Sequence, residues 1–135
     1  MAAFIDPDRE QFAAFKALPR DTPIHMLNLI KYRELADYPE GHANHGKGMS
    51  GREAYRAYAR AIAPILARLG AQRQWGGGAL ECVVTGPADE WDDAFVMGYP
   101  SAGAFLEMVT DPEYRQHVAH RTAAVADSRL IRFAG

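Results

Sequence analysis

PIHMLNLIKYR, residues 23–33, is the stretch from which the rest of the architecture can be worked out. Met26, Asn28, Ile30 and Tyr32 alternate with Leu27, Leu29, Lys31 and Arg33, the period of a β-strand. Neither set is cleanly polar, so the strand is read as covered by protein on both sides. Helices can supply one cover. A small two-layer domain has nothing of its own for the other side, and 400 Å² of apolar surface left in water forgoes about 10 kcal/mol at 25 cal/mol/Å². A second copy, packed sheet against sheet about a two-fold axis, is the simplest cover, and a homodimer is expected.

Working outward, Asp6-Pro7 reads as a helix start, with Phe12, Phe15 and Leu18 at helical spacing and Pro19 as the stop. Residues 7–18 form this helix, and residues 1–22 make an N-terminal extension packed on a domain of residues 23–135. After the strand, residues 34–49 are rich in Gly, His, Asn and Pro, a loop long enough to be a functional lid. Ser50-x-x-Glu53 is a capping box, and it opens a helix with Tyr55, Tyr58, Ile62, Ile65, Leu66 and Leu69 on one face. Gly70 ends that helix, and Pro64 is expected to kink it. Short strands follow at Ala71–Trp75 and, beyond Gly76-Gly77-Gly78, at Leu80–Thr85. Asp93–Tyr99 is the next strand. Pro100-Ser101 starts a helix that Asp111-Pro112 restarts and that runs to about Ala126, and Arg129–Phe133 closes the chain as a strand. The order predicts an α+β, ferredoxin-like βαββαβ two-layer sandwich with an extra N-terminal helix, pairing as a dimeric α/β barrel.

Composition narrows the function classes. The 135 residues are 48% hydrophobic and 24% charged, with 15 basic and 17 acidic side chains for a net charge of −2. A chain without basic excess is a poor fit to nucleic acid, and Arg52, Arg56, Arg60 and Arg68 read as a solvated helix face. No apolar run approaches the ~20 residues of a membrane span, so no membrane partner is expected. The opening MAAFIDPDREQF reaches Asp6, Pro7 and Asp8 at once, without the features of a secretory leader. A single cysteine, Cys82, allows no internal disulfide and is expected to be a buried, inert thiol. The location expected is cytoplasmic.

Several segments together resemble a known family. MLNLIKYR, SGREAYRAY, the pair Trp91-Asp92 and YPSAGAFLEMVTDPEYRQHVAHRTAAVADSRLI look like the bacterial domain of unknown function 1330, over about residues 23–134. That family is similar to the dimeric α/β-barrel group, in which two ferredoxin-like sheets enclose a cavity. The resemblance implies the fold and a homodimer. It implies no activity, for related barrels include cofactor-free monooxygenases, small-molecule isomerases and haem-binding enzymes.

Four side chains stand out as candidate ligand contacts. Asn28 is polar in an apolar strand face and needs a partner there, which is either backbone or a ligand. Arg121 lies in the centre of a helix face made by Tyr114, Val118, Thr122 and Val125, where a cation must be paired or line a cavity. Asp127, Asp93 and Asp92 are its candidate partners, a ligand carboxylate the functional alternative. His117, one turn earlier, and Tyr32 are candidates to move a proton; His120 points away. If Asn28 faces the helices, it can form one polar centre with Arg121.

Other patterns carry less. His42-x-x-His45, even joined by His25, lacks a third ligand at a matching interval, so no metal and no cofactor is expected. Gly41-x-x-x-x-Gly46-Lys47-Gly48 misses the Ser or Thr that a phosphate-binding loop places after its lysine. Two functions are therefore carried forward: an enzyme acting on a small, partly apolar or carboxylate-bearing substrate, and a non-catalytic ligand-binding or stress-associated module using the same cavity.

Overall fold

The computed structural model describes residues 3–88 and 90–135. In chain order the elements are α1 (Arg9–Ala17), β1 (Ile24–Tyr32), α2 (Gly51–Arg68), β2 (Gln72–Gly76), β3 (Asp93–Tyr99), α3 (Ala102–Thr110), α4 (Pro112–Ala124) and β4 (Val125–Ala134). The strands form one sheet in the order β2-β3-β1-β4, with every neighbouring pair antiparallel. This is the ferredoxin-like βαββαβ arrangement, with α1 added in front.

Local chemistry fixes each helix end. The cap of α1 is Asp8 rather than Asp6: its carboxylate accepts the Gln11 N–H at 2.7 Å, which leaves Asp6 free for another role. At α2 the capping box forms on both sides, Ser50 Oγ accepting from Glu53 N at 3.0 Å and Glu53 Oε1 from Ser50 N at 3.1 Å. These bonds hold the Glu53 carboxyl below its usual value. The helix ends in a Schellman turn on Gly70 (φ +76°), with Ala71 N–H to Leu66 O and Gly70 N–H to Ala67 O. Pro64 lies exposed inside α2 without ending the helix. Asp111 serves twice, closing α3 and capping α4 through the Glu113 N–H at 2.8 Å.

Because β1 is central, the pleat sorts its side chains between two layers. Ile24, Met26 and Ile30 are buried towards the helices, where they join Tyr58, Ile62, Ile65, Phe105, Met108 and Tyr114 in two adjoining core clusters. The opposite face carries Leu27 and Leu29, paired across the ladders with Val96 and Ala94 of β3 and with Ile131 and Arg129 of β4. Trp75, opposite Val96, and Phe133 extend this apolar face, and both are more than half exposed.

Three expectations fail here. The strand expected at Leu80–Thr85 does not form. Gly77 N–H carries the ladder one step past β2 to Ala94 O, after which β3 already has both neighbours and the chain leaves the sheet. Cys82, read as a buried thiol, is therefore exposed. The last helix stops at Ala124, not Ala126. Val125 is already strand, paired with Tyr32 across a register shift at the end of β1.

Candidate functional site

Between the sheet and the helical layer lies a cavity of about 1310 Å³. β1 contributes Met26, Asn28 and Tyr32; β3 contributes Asp93 and Phe95; β2 contributes Arg73. α2 presents Tyr55 and Tyr58, and α4 presents Tyr114 and Arg121. The segment Phe4–Asp8 completes one wall. Asn28 thus faces the helices and shares the cavity with Arg121 and Tyr32. His117 does not line it: its ring stacks on His120, with centroids 6.4 Å apart.

The polar groups of this cavity divide into spent and unspent donors. Asn28 Nδ2 donates to its neighbour's Met26 carbonyl at 3.2 Å. Tyr32 OH donates to Asp93 Oδ2 at 2.9 Å, while its backbone N–H is held by Asp92 Oδ2 at 2.8 Å. Burial, then the Asp93 bond, pushes the Tyr32 phenol up, so it stays protonated at neutral pH. The Tyr58 and Tyr114 hydroxyls bond one another at 2.7 Å. The Tyr55 ring packs at a tilt between those of Tyr32 and Tyr58, with centroids 5.4 and 5.3 Å away. Burial also raises its phenol, with Arg121 nearby pulling the other way. Among the described residues the Tyr55 hydroxyl has no hydrogen-bond partner, which makes it a free donor on the cavity wall.

Arg121 is an enclosed cation of the site, its side chain 13% exposed. None of the three expected carboxylates pairs with it. Asp93 and Asp92 are taken by Tyr32, and Asp127 accepts from Phe4 N–H, Ser128 N–H and Arg129. Instead, Arg121 Nη1 donates to Ile5 O at 2.7 Å, and Asp6 Oδ1 lies 3.6 Å away. Among the described residues the other guanidinium nitrogens carry no hydrogen bond. Thr122, expected on the same inward face, is exposed. Three more arginines edge the cavity over aromatic rings, Arg52 above Tyr32 (4.9 Å), Arg73 above Phe95 (5.1 Å) and Arg132 above Phe15 (4.7 Å).

A second cluster lies away from the cavity, where the 34–49 loop meets α4. The loop, expected as a lid, supplies no cavity-lining residue. It is pinned by Asp37 N–H to Ala123 O at 2.9 Å and by the buried Tyr38 ring, whose hydroxyl is 2.6 Å from His120 Nδ1. His42 stacks on Tyr38 at 4.5 Å and meets His120 edge-on at 5.4 Å, and His45 Nδ1 reaches Tyr38 O at 2.9 Å. His120, read as pointing away, is thus committed to the loop. Desolvation first, then His42 and His117, lowers its pKa.

Asn28 and Arg121 stand out in the sequence because each is polar within an apolar pattern, and the cavity brings both together with Tyr32. Sequence reasoning missed Tyr55, whose place on the helix face reads as core, and Asp93, whose role depends on a strand pairing. It also missed the Phe4–Asp8 wall, which no periodicity marks.

The architecture defines a ferredoxin-like α+β protein with a cavity, open to solvent, between its sheet and its helices. The chain belongs to the family described as Domain of unknown function (DUF1330), whose model matches residues 48–133. It is similar to RPA0582, a protein of unknown function from Rhodopseudomonas palustris, at 47% identity over 99% of this chain and 98% of that one, with a TM-score of 0.88. The methylated form of RPA0582 gives a TM-score of 0.90 over 100% of this chain and 96% of that one. A dimeric protein of unknown function from Bacteroides fragilis shares the ferredoxin-like fold at 13% identity and a TM-score of 0.50, over 84% of this chain and 96% of that one. No curated protein matches the sequence. Among the described residues no helix is long and apolar enough to cross a membrane.

Proposed function

We propose that the cavity binds a small organic acid with an apolar or aromatic body. The observation that carries this reading is Arg121: an enclosed guanidinium near Tyr55 and Tyr58 whose only hydrogen bond among the described residues goes to a neutral carbonyl, with the mostly exposed Asp6 carboxylate 3.6 Å away as its one ionic neighbour there. A buried cation so placed is stabilised by a carboxylate, which it can grip with two parallel N–H bonds. The Tyr55 hydroxyl adds a free donor near it, Asn28 lines the same cavity, and the Tyr32, Tyr55 and Tyr58 rings offer an aromatic wall. His117 has no part in this reading.

The test is titration calorimetry with benzoate, cinnamate and octanoate, each beside its amide. We expect the acids to bind and the amides to bind at least about tenfold more weakly, the difference one charge-assisted contact makes. Arg121→Met should lose the acids to a similar degree. Full acid binding by Arg121→Met, with stability raised, removes Arg121 from the site.

One observation favours a catalytic version: the Tyr32–Asp93 pair is a proton donor and acceptor already hydrogen-bonded at the cavity wall. Turnover that disappears in Asp93→Asn while acid binding persists would select it, and a bound acid never consumed selects a binding module. We further read the chain as one cytoplasmic domain, residues 23–135, with residues 1–22 packed on it, working as a homodimer through the open sheet face. The dimeric relative from Bacteroides fragilis supports that assembly.

A further inference from the structure

The wall made by Phe4–Asp8 differs in kind from the rest of the cavity. Phe4 is 53% exposed, and apart from Ile5, whose side chain packs against the core cluster around Ile30, the segment is fastened by polar contacts. Phe4 N–H donates to Asp127 Oδ1 at 2.9 Å, Ser128 Oγ donates to Phe4 O at 2.6 Å, and Arg129 lies 4.9 Å above the Phe4 ring. Arg121 Nη1 then takes Ile5 O, and Asp6 follows at 3.6 Å. A segment held by a few partly exposed polar bonds and a single apolar anchor belongs to the part of a fold that opens at low cost.

The two charges of that contact are unequal in setting. The Arg121 side chain is 13% exposed and built into the wall, while the Asp6 side chain is 64% exposed on the strap. Their separation of 3.6 Å allows an ion pair, with no hydrogen bond between them. A tethered carboxylate therefore rests beside the cation that the proposed ligand needs, held there by chain connectivity more than by bonding.

We propose that Phe4–Asp8 is a latch on the cavity, with Asp6 presenting to Arg121 the carboxylate that an incoming acid displaces. The inference rests on the acid-binding reading of the cavity. By linkage, an acid that displaces Asp6 loses affinity by the factor with which the latched state is favoured, and removing the Asp6 charge restores it.

The experiment pairs Asp6→Asn with Glu10→Gln, which removes a charge from α1 outside the cavity wall. Benzoate and octanoate affinities are measured by calorimetry at low and high salt, and strap order is read by heteronuclear NOE at the Phe4, Ile5 and Asp6 amides. Asp6→Asn should tighten acid binding about threefold or more, most at low salt where the lost ion pair was least screened. Glu10→Gln should leave binding as in the wild type. Without ligand, the NOE at these amides should fall in both Asp6→Asn and Arg121→Met. Unchanged or weaker acid binding in Asp6→Asn overturns the latch and leaves the cavity reading standing. A fallen NOE in both variants, with no acid bound by any form, keeps the Asp6–Arg121 latch and removes the acid instead. An unchanged NOE in both overturns the latch whatever binds.

Discussion

Single side chains set the chemistry of this protein, and their partners come from far along the chain. Asn28 and Arg121 announce themselves in the sequence because each interrupts an apolar pattern, yet the partner of Arg121 is not readable there. The Ile5 carbonyl is 116 positions away, on a segment with no periodicity to place it. The three nearby aspartates looked better and are all engaged elsewhere, Asp92 and Asp93 by Tyr32 and Asp127 by the strap and Arg129. His120 shows the same lesson and yields a prediction. Facing Tyr38 and His42 from the loop and His117 from its own helix, it holds a pKa below its ordinary 6.5 when folded. The unfolded chain then binds more protons than the native one between the two values. That share of stability is complete above 6.5 and is lost as the pH falls through the folded value. Thermal melts should therefore show the melting temperature dropping from about pH 7 to about pH 5, with a smaller drop in His120→Gln. Identical drops in both proteins would show that this cluster does not titrate as argued.

Elements were more legible than residues, and the reason is that their signals are local. The capping box, the Gly70 stop and the Asp111-Pro112 joint each act within one turn, and all three are found where the sequence puts them. What the elements do to each other is less visible. Gly51, the first residue of α2, reads as an ordinary helix-start glycine. In the fold it lies against two other elements, and an added Cβ would sit 2.7 Å from Ala124 O and closer still to Arg33 O. Helix propensity alone would make Gly51→Ala stabilising by about 1 kcal/mol. The approach of two backbone carbonyls reverses the sign, and we expect a net loss of about 2 kcal/mol or more in urea unfolding. A neutral or stabilising result would mean that α2 can slide away from the β1 and α4 ends at little cost. The Leu80–Thr85 misreading belongs at this scale too. Its β-branched composition is real, but a strand also needs a neighbour, and within one subunit every place beside β3 is filled.

For the whole molecule, the central position of β1 leaves one apolar sheet face only partly covered, carrying the half-buried Leu27, Leu29 and Val96, with the exposed Trp75 and Phe133 at its margins. Sedimentation at micromolar concentration should find a dimer. Phe133→Glu combined with Leu27→Asp should give a monomer, because burying two unpaired carboxylates offsets the gain from the apolar area. A wild-type monomer that is stable and soluble at that concentration would rule the assembly out. The segment 80–85 draws a further consequence from the same arithmetic of unmet pairing. LECVVT is β-prone, proline-free and carries a single charge, and Val84 is 90% exposed. Such a hexapeptide is a template for cross-β stacking between molecules, and a site that proteases can thread into an active-site cleft as an extended chain. Covering this one short stretch would remove both liabilities at once, quite apart from anything held in the cavity.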